Sequence, residues 1–332
     1  MKVPYIMGKG HIEEKIKKAV EEIKKWKQEI SLRLVGQNQL LEGILMGLIA
    51  DGHVLLEGVP GLAKTLAVKT LAEVMDVDFK RIQFTPDLLP ADLIGTMVYS
   101  QETGKFYARK GPIFANIILA DEINRAPAKV QSALLEAMEE RQVTIGDTTY
   151  PLPSPFFVLA TQNPIEHEGT YPLPEAQIDR FLLKLKVDYP SFHEEIEIID
   201  RMGENPTIKV GKVISSNAIS NIREALSSIN VDNRIVEYIV SLVTASRGNS
   251  KSDYPFSRYI EYGASPRASL YLFRCARVRA LLEGRSFVIP DDVKKEAINV
   301  MRHRIILTYE AEAEELTTDD IIKQILSVVP VP

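Results

Sequence analysis

An apolar run, His53–Glu57, breaks abruptly into Gly58-Val59-Pro60-Gly61-Leu62-Ala63-Lys64-Thr65, and a helical pattern begins at once behind it. Few folds accept that succession. The strand must end in a loop whose consecutive backbone N–H groups converge, and the following helix must aim its positive end at the same point. A phosphate group is the anion such a loop suits. Lys64 would extend to the β- and γ-phosphates of a nucleotide, and the Thr65 hydroxyl would ligate Mg2+. The general phosphate-loop pattern has glycine where Ala63 stands, and one added methyl is tolerated if that residue keeps a negative φ. The competing reading is a Gly/Pro turn ahead of an ordinary helix.

The neighbouring sequence continues the strand–helix rhythm. Strand-like runs at Arg81–Phe84, Ile117–Ala120, Phe156–Ala160 and Leu182–Val187 alternate with helical segments, notably Lys64–Met75 and Pro127–Glu140. Short apolar strands alternating with helices predict an α/β fold with a parallel sheet covered on both faces. Two hairpins interrupt it: Met97–Lys110, turning at Gly104, and Gln142–Tyr150, whose Gly146-Asp147 pair suits a two-residue loop of the primed type. Ahead of the sheet, Ile12, Ile16, Val20, Ile23 and Ile30 fall at helical spacing and predict an amphipathic helix within residues 1–34, packed on the core. The nucleotide-binding αβα domain then runs over 35–203 and a polar, turn-rich linker over 204–215. Residues 216–332 read as helix only, with Ala218–Ile229, Arg234–Ser246, Pro266–Leu282, Asp291–Arg302 and Thr318–Val328 forming a bundle.

Composition narrows the function classes. A chain of 332 residues suits two unequal domains. The net charge of −5 argues against a broad basic face for nucleic acid. A single cysteine, Cys275, excludes an internal disulfide and a multi-cysteine metal site, and fits a reducing cytoplasm. The five histidines show no ligand spacing. The opening MKVPYIMGKGHIEEKIKK lacks the apolar core of a signal peptide, and no apolar run approaches the roughly 20 residues that span a bilayer. A cytoplasmic location is expected.

Further candidates stand at strand ends. Ile117-Ile118-Leu119-Ala120 runs into Asp121 and Glu122: Asp121 would belong to the Mg2+ shell and Glu122 would polarise an attacking water. By itself the pair is also what a strand entering a solvated acidic turn looks like. Phe156–Thr161 is followed by Gln162-Asn163-Pro164, so Asn163 would lie at the sheet edge where open α/β folds bind ligands, within reach of the γ-phosphate or the lytic water. An Asn-Pro turn is its plain alternative. Arg180 precedes the last strand. Arg267 follows Ser265-Pro266, a helix N-cap and first-turn pair that would display it at a helix start. Either arginine suits a bidentate grip on phosphate oxygens, or a surface salt bridge.

In order along the chain, GVPGLAKT, IILADE, ATQNP, EAQIDRF and ASPRA resemble the P-loop, Walker B, sensor 1, arginine-finger and sensor 2 elements of AAA+ ATPases. The longer stretches DEINRAPAKVQSALLEAMEERQVTIG, ATQNPIEHEGTYPLPEAQIDRF and HRIILTYEAE are similar to those of the MoxR family, in which alanine at the Ala63 position is common. That resemblance spans roughly residues 35–310. It implies a five-stranded αβα core followed by an all-helical lid, Mg2+-dependent conversion of ATP to ADP, and nucleotide bound between subunits of a ring, commonly a hexamer. It assigns Met97–Lys110 to a helix-2 insert and Gln142–Tyr150 to a pre-sensor-1 hairpin near the ring pore. It also implies chaperone-like maturation of protein clients, usually with a partner bearing a von Willebrand factor A domain. A nucleic-acid-stimulated motor is the alternative, since the same two insertions occur in helicase relatives. The aromatics of Met97–Lys110 either grip a client or pack on the core.

Overall fold

The computed structural model describes residues 9–58, 64–163, 170–203, 208–214, 217–247 and 254–332. Contacts divide the chain into two units, Lys27–Ser215 on one side and Met1–Trp26 with Ser216–Pro332 on the other.

The first unit carries the sheet. Its elements are α2 (Asn38–Ile49), β1 (Val54–Glu57), α3 (Lys64–Met75), β2 (Phe79–Gln83), α4 (Pro90–Ile94), β3 (Gly95–Ser100), β4 (Lys105–Lys110), β5 (Ile117–Asp121), α5 (Ala128–Glu140), β6 (Gln142–Ile145), β7 (Thr148–Pro151), β8 (Phe157–Gln162), α6 (Glu175–Ile178), β9 (Leu183–Lys186) and α7 (Phe192–Met202), preceded by the end of α1 (Lys9–Ser31). Five parallel strands lie in the order β2-β5-β8-β1-β9. The inner strands are apolar almost throughout because helices cover both faces, and β1, β5 and β8 are buried nearly to their last residues. Close approach fixes α2 on the sheet: a Cβ added to Gly47 would lie 2.5 Å from Val54 Cγ2 and 2.9 Å from the Phe157 ring. Alignment of the strands brings their C-terminal ends level, with Gln83 opposite Asp121 and Glu57 opposite Gln162.

Both hairpins form where the turn residues predict them. β3 pairs β4 from Gly95↔Lys110 to Ser100↔Lys105, and Gly104 takes φ 64° at the turn. β6 pairs β7 across Gly146-Asp147, with Gly146 at φ 60° in the first loop position. The expected linker is not loose where it is described: Val213 and Ile214 both donate to the Val74 carbonyl at 3.1 Å, and Gly211 N–H donates to Glu29 Oε1 at 2.5 Å.

At the other end of the sheet, His53 is buried between α5 and β8. Its Nε2 meets the Met138 carbonyl at 3.1 Å and its Nδ1 accepts the Val158 N–H at 3.1 Å. Only the neutral ring satisfies both, and burial pushes its pKa down from 6.5 to about 3, with the nearby Arg141 charge adding to the shift. The unfolded chain therefore takes up a proton below pH 6.5 that the folded chain refuses until about pH 3. The stabilisation is complete above pH 6.5 and is lost as pH falls from there, by about 1.4 kcal/mol per pH unit. Urea titrations between pH 8 and pH 4 should show that extra slope in the wild type and not in His53→Gln. Equal slopes would contradict it.

The second unit is helical, as expected: α8 (Ala218–Ser227), α9 (Asn233–Ala245), α10 (Pro266–Leu282), α11 (Pro290–Met301), α12 (Tyr309–Ala313) and α13 (Thr318–Val328). One feature was not foreseen, a short antiparallel pair of β10 (Ile260–Tyr262) and β11 (Ile306–Leu307). Asp292 and Glu296 are buried and each is matched by an arginine, Arg285 at 2.5 and 2.8 Å and Arg279 at 2.6 and 2.8 Å. The amphipathic α1 also departs from expectation. Its first part, through Trp26, groups with these helices and not with the sheet: Ile16, Ala19 and Ile23 are buried, and Lys15 pairs with Glu224 at 2.6 Å.

Candidate nucleotide site at the sheet edge

Four strand ends meet where β1, β8, β5 and β2 stop. Gly58, directly after β1, donates its N–H to the Gln162 carbonyl at 3.3 Å. Val59, Pro60, Gly61, Leu62 and Ala63 lie outside the described residues. Lys64 opens α3, and its half-buried Nζ donates to the Gly58 carbonyl, turning the side chain back over the end of β1. Burial pushes the Lys64 pKa down, while the charges of Asp121 and Glu122 push it up. The ammonium is thus partly desolvated and lies within the field of two carboxylates. Thr65 follows in the first turn of the same helix.

Asp121 ends β5 and Glu122 begins the next turn in a left-handed conformation, φ 56° and ψ 51°. A non-glycine residue held there carries a cost of order 1 kcal/mol and persists only when its surroundings impose it. Thr161 is one such constraint. It is buried at the end of β8, accepts the Glu122 backbone N–H at 2.8 Å, and donates its hydroxyl proton to Asp121 Oδ1 at 2.6 Å. One side chain therefore fixes both acidic residues. From β2, Arg81 donates to Asp121 Oδ2 through Nε at 3.0 Å and Nη2 at 2.5 Å, and Gln83 donates to Glu122 Oε2 at 2.7 Å. Arg125 donates to the same Glu122 oxygen at 3.1 Å.

Asn163 lies one residue beyond β8 and is buried, so the structure gathers Gly58, Lys64, Asp121, Glu122 and Asn163 at one edge of the sheet. Arg180 is placed apart, against α5: its Nη1 meets Glu139 Oε2 at 2.8 Å and the Leu135 carbonyl at 3.1 Å, realising within this chain the salt bridge considered from sequence. Arg267 belongs to the second unit, in the first turn of α10, and its N–H caps onto Ser265 Oγ at 3.2 Å as the Ser-Pro start predicts. Thr161, Arg81 and Gln83 were missed from sequence. Only Thr161, two residues before Asn163 at the end of an apolar strand, carried a signal in the sequence; Arg81 and Gln83 act through the pairing of β2 with β5.

The donor set fits Mg2+ held together with a nucleotide. Thr65 and Asp121 offer hard oxygen ligands, and among the described residues no three His, Cys, Asp or Glu side chains gather into a self-sufficient metal site. Among the described residues no helix is long and apolar enough to cross a membrane.

Residues 53–183 match the family described as ATPases associated with various cellular activities (AAA), and residues 256–325 match the AAA lid domain. The chain is 52% identical to the chaperone MoxR1 of Mycobacterium tuberculosis, over 92% of this chain and 81% of the relative. It is 31% identical to the protein MoxR of Methylorubrum extorquens, over 93% and 94%. A solved structure of a candidate ATPase from Cytophaga hutchinsonii superposes with a TM-score of 0.91 at 51% identity, covering 96% of this chain and 98% of the other.

Proposed function

The chain belongs to the MoxR family of AAA+ ATPases, and from that premise we propose that it hydrolyses ATP at the edge formed by β1, β5 and β8 to remodel or mature protein clients. The observation that carries this reading is the gathering of Lys64, Asp121 and Glu122 at one sheet edge, where one threonine holds the Asp121 carboxylate and the Glu122 backbone N–H. Gly58 to Ala63 would cradle the phosphates with backbone N–H groups, and Lys64 would contact the β- and γ-oxygens. Thr65 and Asp121 would hold Mg2+, which supplies neutralisation of phosphate charge. Glu122 takes the proton of the attacking water, and Asn163 orients that water or the γ-phosphate. Arg180 and Arg267 would complete the charge stabilisation. In Lys64→Ala a charged contact is lost from a site otherwise built of backbone dipoles, so ATP affinity should fall about 10- to 100-fold with the fold intact. Calorimetry showing wild-type affinity would refute the assignment.

Chaperone naming of MoxR1 supports a protein client, and the resemblance of EAQIDRF to the arginine-finger element supports a ring in which the nucleotide lies between subunits. For the client surface we take the β3–β4 hairpin. Tyr99, Phe106 and Tyr107 are each more than half exposed, and Tyr99 pairs with Phe106 across the strands, ring centroids 5.3 Å apart. Core packing does not account for that exposure. Phe106→Ala should leave the melting temperature and client-free hydrolysis nearly unchanged, since exposed truncations stay within about 0.5 kcal/mol, and should abolish stimulation by a client. A large fall in melting temperature would return these rings to a packing role.

A further inference from the structure

Both oxygens of Asp121 are engaged, and by partners of different kinds. Oδ1 takes the hydroxyl proton of Thr161, which is buried and also receives the Glu122 N–H, so it cannot turn away without breaking two hydrogen bonds. Oδ2 takes two N–H groups of one guanidinium, at 2.5 and 3.0 Å. A carboxylate oxygen offers about two lone-pair directions, so Oδ2 is saturated by Arg81. A metal ion, or a water of its shell, that reaches Asp121 through Oδ2 meets Arg81 there, and Arg81 is the group that can yield, since its side chain is 50% exposed and can swing into water. The same guanidinium reaches further. Arg81 Nη2 donates to Gln83 Oε1 at 3.1 Å, and Gln83 Nε2 donates to Glu122 Oε2 at 2.7 Å. The contacts close a ring, Arg81–Asp121–Thr161–Glu122–Gln83–Arg81, which joins the cation side of Asp121 to the candidate base.

We propose that Arg81 is a resident cation on Asp121 that Mg2+ displaces, so that metal binding at this acid is an exchange of guanidinium for metal. This rests on the reading of the edge as a Mg2+–nucleotide site. Arg81 is a positioning residue in that exchange. Seated on Asp121, it adds a second positive charge to that of Lys64 beside the two adjacent carboxylates, and it orients the Gln83 amide toward Glu122. Once displaced, it withdraws from Gln83 as well, and Glu122 loses the support that fixed its partner. The metal therefore binds less tightly than the bare acid would allow, and its arrival loosens the hold on Glu122.

The test uses Mn2+ as the probe, with free Mn2+ followed by electron paramagnetic resonance as it is titrated into full-length protein saturated with ADP. Arg81→Gln should bind Mn2+ about two- to fivefold more tightly than the wild type, the range expected for removing a half-exposed ion pair. Arg81→Met, similar in length and without donors, repeats the measurement should Arg81→Gln fail to fold. Lys80→Gln removes the same charge from the adjacent exposed position of β2, where the side chain points to the opposite face of the strand, and should leave the affinity unchanged. Unchanged or weaker binding in the Arg81 variants would overturn the proposal, as would an equal gain in Lys80→Gln, which would reduce the effect to bulk charge. A wild-type protein that binds neither ADP nor Mn2+ would instead remove the nucleotide-site reading on which the proposal stands.

Discussion

Glu122→Gln is expected to bind Mg2+·ATP like the wild type and to hydrolyse it about 10²- to 10⁴-fold more slowly, the contribution of one positioned general base. The amide keeps the shape of the side chain and an oxygen for Gln83 and Arg125, but it cannot take the proton of an attacking water. The groups proposed to bind the substrate are untouched. Lys64 and Thr65 stand on α3, Asp121 keeps its bond from Thr161, and the Thr161–Glu122 contact uses the Glu122 backbone N–H, which the substitution leaves in place. Magnitude separates this role from the alternative. Were Glu122 only the ion-pair partner of Arg125, at 3.1 Å and partly exposed, its loss would be worth at most about 1 kcal/mol, a factor of five. Steady-state hydrolysis within tenfold of wild type would therefore eliminate Glu122 as the base. The same variant should stay loaded with ATP and retain whatever client the protein engages, so a pull-down with it is the direct route to that client.

What the sequence revealed and what it hid have a common physical origin. β5 and β8 are legible because helices cover both faces, so IILA and FVLA are unbroken apolar runs, and a polar residue at their end stands out. Asp121, Glu122 and Asn163 were found that way. Thr161, Arg81 and Gln83 were not, because their importance lies in contacts between strands far apart in sequence. Arg81 meets Asp121 only because β2 lies beside β5, and Thr161 meets both acids only because β8 flanks β5 on the other side. No local period encodes that order. The N-terminal helix shows the same limit. Its apolar stripe says which face is buried but not what covers it, and a 23-residue helix is about 34 Å long, enough to serve two units in succession. The β10–β11 pair is three residues against two, too short for an alternation to register. His53 opens the first apolar run in the sequence and ties β8 to the end of α5, but its burial and lowered pKa depend on packing from α5 that β1 alone does not reveal.

Arg180→Ala is expected to bind ATP almost normally and to lose about 10³- to 10⁵-fold in hydrolysis, the worth of an arginine delivered to developing phosphoryl charge. Within one chain Arg180 is held by Glu139 and the Leu135 carbonyl on α5, away from the gathering of Lys64, Asp121 and Glu122. Arg180 precedes β9, at the strand starts and so at the opposite end from Gly58 and Glu122, which is why a neighbour's nucleotide is the one it is expected to serve. The Glu139 pair is partly exposed, worth at most about 1 kcal/mol, so it restrains the arginine without locking it. Glu139→Gln is then a control that removes the charged partner and keeps Arg180: hydrolysis should hold or rise, whereas a purely structural ion pair predicts that Glu139→Gln and Arg180→Ala behave alike. Wild-type specific activity should also climb with protein concentration as rings assemble. Mixing Arg180→Ala with Glu122→Gln gives the sharper outcome. Each is nearly inactive alone, yet a mixed ring contains interfaces where an intact Glu122 meets an intact Arg180, and these should recover part of the activity once subunits exchange. With exchange verified independently by fluorescence transfer between labelled subunits, no recovery at any mixing ratio would refute action in trans and leave Arg180 as the partner of Glu139.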